Sequence, residues 1–155
     1  MDNITFEINE KAECIDGEIF YYKNEFIFET NSGKGEFSLM LGKGYCQLSI
    51  AKFNSRVYSF DGMNWKEDWI NKKLTFPQSV KGELYINNIY VESGQGNWYV
   101  ENWNTYYDKK NNFICIGNCT VNQDDVSVEF CKNIVATIGK GKLKSIWIRD
   151  IIFKS

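Results

Sequence analysis

The chain has 155 residues, of which 43% are hydrophobic and 25% charged, with a formal net charge of −2. Residues 1–155 therefore make one domain, able to bury roughly 70% of the unfolded surface without a staple. Neither a disordered chain nor a polyanion-coating protein fits this composition.

The elements follow from apolar spacing. Ile4, Phe6 and Ile8 alternate with Thr5 and Glu7; Phe37, Leu39 and Leu41 with Ser38 and Met40; and Cys46, Leu48 and Ile50 with Gln47 and Ser49. Turn signals punctuate them at Asp16-Gly17, Asn31-Ser32-Gly33, Gly42-Lys43-Gly44 and Asp61-Gly62. Asn64-Trp65-Lys66-Glu67 is a variant capping box, with Trp69, Ile70 and Leu74 at near-helical spacing before Pro77. It predicts at most one short helix near 65–73, plugging an end of the sheets. Leu84 to Ser93 repeats the pattern of Ile146 to Ser155: three apolar residues, two polar, three apolar, a charge and Ser. This pattern predicts two strands covered on both faces and interrupted at the polar pair. Residues 113–121 and 126–131 are expected to pair through an Asn122–Asp125 turn, with Cys119 facing Val128 and Cys131 on the other face. The fold class is all-β, an antiparallel β-sandwich or a closed β-barrel.

The start, Met1-Asp2-Asn3-Ile4-Thr5-Phe6-Glu7, lacks the basic and apolar regions of a signal peptide, so a cytoplasmic location is expected. No run reaches the roughly 18 apolar residues of a membrane span, and no membrane partner is expected. Five cysteines, an odd number, then read as reduced thiols acting as small hydrophobes. Cys115 and Cys119 share a face but leave a zinc site two ligands short. The Gly-Lys-Gly segments at 33–35, 42–44 and 139–141 lack phosphate-loop spacing and read as hairpin tips. Histidine is absent, which removes the commonest acid–base group. Without a nucleophile elbow or a facing carboxylate pair, no catalytic residue, metal or cofactor is expected, and the chain reads as a non-enzyme.

Aromatic residues make up 16% of the chain and crowd Asn97 to Tyr107, where rings interleave with asparagine. Acids and bases are segregated: residues 1–30 carry −6, 31–82 +4, 83–130 −5 and 131–155 +5. Acidic blocks meeting on one surface attract a basic partner; neighbouring strands of opposite charge instead cancel the field. Arg56 and Arg149 are the only arginines, so no nucleic acid partner is expected. Candidate partner-binding residues are Trp98, Trp103, Tyr106 and Tyr107 as anchors, with Glu101, Asp108, Asp124 and Asp125 supplying charge.

A histidine-free chain with acidic blocks, many rings, 17 Asn and little Arg resembles, in general character, the immunity proteins of bacterial contact-dependent and other polymorphic toxin systems. That resemblance implies a stoichiometric antitoxin: an acidic, aromatic surface covering the active site of a basic, nuclease-like cognate toxin. The closing segment Ile146-Trp147-Ile148-Arg149-Asp150-Ile151-Ile152-Phe153 resembles the last strand of jelly-roll carbohydrate-binding modules, which implies sugar binding as the alternative. A lipocalin-like barrel holding a small ligand is a further alternative.

Overall fold

The computed structural model describes residues 4–33, 35–43, 45–88 and 96–155. Within them, β1 (Thr5–Glu10), β2 (Ile19–Tyr22), β3 (Ile27–Thr30), β4 (Phe37–Leu41), β5 (Tyr45–Ile50) and β6 (Val57–Met63) come first. Next are β7 (Ile70–Asn71), β8 (Val80–Asn87), β9 (Gly96–Val100), β10 (Thr105–Asp108) and β11 (Phe113–Gly117). The chain ends with β12 (Val126–Cys131), β13 (Ile134–Gly139), β14 (Lys142–Arg149) and β15 (Ile152–Lys154). One sheet has the order β1-β8-β12-β13-β14-β11-β10-β7 and the other β15-β2-β3-β6-β5-β4-β9. The two pack face to face as an all-β sandwich, and among the described residues no barrel closes.

Side-chain alternation builds the core. Tyr21, Phe28, Leu39, Leu48 and Phe60 of the seven-stranded sheet share one buried cluster with Leu84, Ile114, Ile134, Ile146 and Ile148 of the eight-stranded sheet. Both sheets are mixed rather than purely antiparallel: β7 runs parallel to β10, β8 to β12, β15 to β2 and β9 to β4. Each such pair joins strands distant in sequence, because a parallel neighbour needs a long crossover.

The expected helix shrinks to a single 3₁₀ turn, Lys66–Asp68, with no side-chain cap. Asn64 is used elsewhere: its Nδ2 donates to Thr105 Oγ1 at 2.8 Å and its Oδ1 accepts from Trp69 Nε1 at 2.8 Å. Trp69 itself plugs the sandwich, stacked on Phe28 at 5.8 Å and edge-on to Tyr107 at 5.1 Å.

The hairpin expected between 113–121 and 126–131 does not form. β11 pairs with β10 and β14, and β12 with β13 and β8. The Asn122–Asp125 turn exists, with Asp125 N–H donating to Asn122 O at 3.1 Å, but β11 already ends at Gly117. Gly117 has φ 108°, and a Cβ there would sit 2.6 Å from Lys144 O and 3.0 Å from the Trp103 ring. Only glycine lets the chain leave the sheet at that point.

The segment likened to a jelly-roll strand is likewise two strands. β14 ends at Arg149, Asp150 takes φ 53°, and β15 pairs with β2 in the opposite sheet. The polar pair is thus where the chain changes sheets. Asn88, the matching residue of the repeat, has φ 63°; residues 89–93 of that repeat lie outside the described residues. β14 is covered on both faces, whereas β8 is covered mainly on one. At 139–141 the hairpin-tip reading holds, with Lys140 at φ 52° and Gly141 at φ 77° in a two-residue turn. Lys34 and Gly44, in the other two Gly-Lys-Gly segments, lie outside the described residues.

Residues 72–79 run from β7 at one edge to β8, crossing the outer face of the intervening strands. The six strand spacings amount to about 29 Å, and the steps from residue 71 to 80 reach only roughly 30 Å when extended. The connection is therefore a taut strap. Leu74 packs beneath it with Cys115, Val135 and the fully buried Trp147, and Phe76 lies 5.7 Å from the Trp147 ring. Arg149 covers Phe76 at 5.0 Å while pairing with Glu129 at 3.2 Å.

Candidate functional site

The eight-stranded sheet curls at its β1 end. Phe6 N–H donates to Gly141 O at 2.8 Å, and Lys142 Nζ donates to Ile4 O at 2.8 Å. The β13–β14 tip is thereby drawn against β1. Beyond that contact β1, β8, β12 and β13 leave a groove of about 400 Å³, lined by Phe6, Ile8, Val80, Val126 and Ile138. Val126 is 50% exposed there, although strand alternation aims it at the interior side of the sheet.

Glu10 and Asp124 stand on the rim, and Lys140 of the hairpin tip lines the same groove. They come from the first and second acidic blocks, and both are exposed. Among the described residues neither holds an ion pair. Other acids of the second block are neutralised in place: Glu83 by Arg56 at 3.4 Å, Asp125 by Lys144 at 2.5 Å, and Glu129 by Arg149. Opposite charges therefore cancel across the strands, and the exposed acids on the groove rim are Glu10 and Asp124.

The candidate residues named from the sequence fall in separate places. Trp98 lies on β9, 5.9 Å from the ring of exposed Tyr45, in the seven-stranded sheet. Glu101 is exposed where the chain crosses between sheets. Trp103 and Tyr106 share a polar groove with Asn102, Asn104, Asn118 and Lys72. Their ring faces are largely used: Lys72 Nζ covers Tyr106 at 5.1 Å, and Trp103 packs on Tyr99 and against Gly117. Tyr107 is buried in the core. Asp108 is buried and spent on structure, accepting from Leu74 N–H at 3.0 Å and from Asn111 Nδ2 at 2.9 Å. Those bonds, the Leu74 N–H first, hold its carboxyl below the usual range.

The cleft around Tyr107 and Asp108 is lined by Lys72, Lys73, Lys109 and Lys110, so its charge is basic. Asp125 is also internal: burial opposes its charge, but Lys144 and the Asn122 N–H outweigh that and lower its pKa. Of the eight candidates, Asp124 alone lines the apolar groove.

The five cysteines are free thiols. Burial pushes Cys46 up to about 12 and raises Cys14, Cys115 and Cys131. Cys119 goes the other way, because the Cys115 thiol donates to its sulfur. Among the described residues no cluster of three metal-ligating side chains occurs.

Phe6, Ile8, Val80, Val126 and Ile138 escaped the sequence reading because alternation marks them as core. What they share is the groove itself, which strands distant in sequence build together. Comparison of the sequence with known protein families and with curated proteins gives no match.

Proposed function

We propose that the chain is a non-enzymatic, protein-binding inhibitor of the immunity type, working in the cytoplasm by covering a basic cognate toxin. The supporting observation is the open apolar groove, with exposed Glu10 and Asp124, from different acidic blocks, on its rim. Desolvated apolar anchors supply affinity, while rim acids speed encounter with a basic surface. The docking surface is the mouth of the groove rather than the aromatic run, because Tyr107 and Asp108 are buried and the Tyr106 and Trp103 faces are occupied.

The test uses the product of the gene adjacent to its own as candidate toxin. Glu10→Lys with Asp124→Lys is expected to slow association about tenfold at low salt and to release the toxin's activity. An unchanged association rate and salt slope sink the proposal.

A further inference from the structure

Resting on that partner-capture reading, we infer that the partner binds as a β-strand added to the free edge of β1, with apolar-x-basic residues facing the groove. Among the described residues the edge strands are β1, β7, β9 and β15. With six residues β1 is the longest, against two, five and three.

The ladder fixes which backbone groups are free. Phe6 N–H points away from β8 to reach Gly141 O. In an antiparallel ladder alternate residues share that orientation, so the N–H and C=O of Ile8 and Glu10 also face outward. Lys11 N–H, of opposite parity, donates to Lys81 O at 3.0 Å, as this assignment requires. Neither Ile8 nor Glu10 has an outward ladder partner among the described residues. The hairpin tip that closes the edge at Phe6 leaves the groove open beside them.

The side chains of Ile8 and Glu10 line that same groove. A strand exchanging backbone bonds with these two residues therefore projects its own facing side chains into it. The one opposite Ile8 meets Val80, Val126 and Ile138, and must be apolar. The one opposite Glu10 meets that exposed carboxylate, and is basic.

A second copy of this chain fits poorly. Two antiparallel β1 strands set the Glu10 side chains of both chains on one face and the Glu7 side chains of both on the other, so each face gathers like charges. The Phe6 N–H, bound to Gly141, is also unavailable in the register that sets Glu10 against Phe6. Edge strands left open in this way are ordinarily blocked or covered.

The probe is a capped heptapeptide alternating threonine with lysine, valine and lysine, whose sequence reads the same in both directions. It is titrated into the full chain while backbone amide resonances are followed. Expected are shifts at the Ile8 and Glu10 amides and at Val126, with binding weakened about tenfold when the valine nitrogen is methylated.

If the methylated peptide binds equally well, capture is electrostatic: strand addition is overturned while the partner-capture reading stands. Shifts at Ile8 and Glu10 that grow with protein concentration alone make a second copy the occupant and overturn the inference. So does an absence of shifts at β1 at any peptide concentration. Loss of toxin inhibition in Glu10→Lys with Asp124→Lys, alongside unperturbed β1 amides, separates failure of the mode from failure of the function.

Discussion

The eight-stranded sheet carries apolar side chains at the margins of the main core in two places and treats them oppositely. On the outer face, Trp147, Val135 and Cys115 are sealed by the strap through Leu74 and Phe76. At the β1 end, Ile8, Val80 and Val126 line a groove that no described segment covers. Both surfaces are of similar chemistry, and burial of either is favourable at about 25 cal/mol per Å². A chain that strings a nearly straight connection across one apolar surface leaves the other unsealed. The difference separates surface that serves the fold from surface available to a partner.

The comparison breaks most visibly under the strap. Trp147→Ala is expected to cost about 3–5 kcal/mol, and Leu74→Ala about 2–5 kcal/mol, by urea unfolding. A loss below about 1 kcal/mol for both means the strap is not closing a core. Val126→Ala, by contrast, should stay within about 0.5 kcal/mol of the parent, since the residue is half exposed.

Val126→Lys sharpens the same contrast on the functional side. Capture of the basic partner, read by titration calorimetry, should weaken about tenfold while the unfolding midpoint holds. Equal losses of stability and capture place Val126 in the fold instead.

The smallest effect is in acid. Asp108 has a lowered folded pKa because it accepts the Leu74 and Asn111 bonds. Its contribution is therefore present above the unfolded carboxylate pKa of about 3.9 and fades as pH falls through the folded value. Asp108→Asn should raise the pH at which Trp147 fluorescence reports loosening of the strap, leaving neutral-pH partner capture unchanged. An identical acid transition in both proteins removes Asp108 as the strap's anchor.

Much of the architecture is legible in the alternation of Phe37, Leu39 and Leu41 with Ser38 and Met40, and in the left-handed turn at Lys140-Gly141. Near 65–73 the chain keeps only a 3₁₀ turn, because the capping residue Asn64 is held by Trp69 and Thr105, partners that pack only once the sheets meet. The 113–131 hairpin failed for a related reason: the Asn122–Asp125 turn signal is local, whereas strand pairing is set by which neighbours bury β14 on both faces. Charge segregation was correctly visible, but sequence order says nothing of which acids acquire partners. Glu83, Asp125 and Glu129 do; Glu10 and Asp124 remain on an open rim.

By itself the sequence determined a strand-built protein, sandwich or barrel, because side-chain period and turn chemistry are local properties of the chain, and the two-sheet packing was settled only in three dimensions. Which apolar residues stay uncovered, which acids stay unpaired and which edge strand stays open were decided only by the tertiary structure. Burial and ion pairing depend on what lies across the gap, and that neighbour is supplied by residues far away along the backbone.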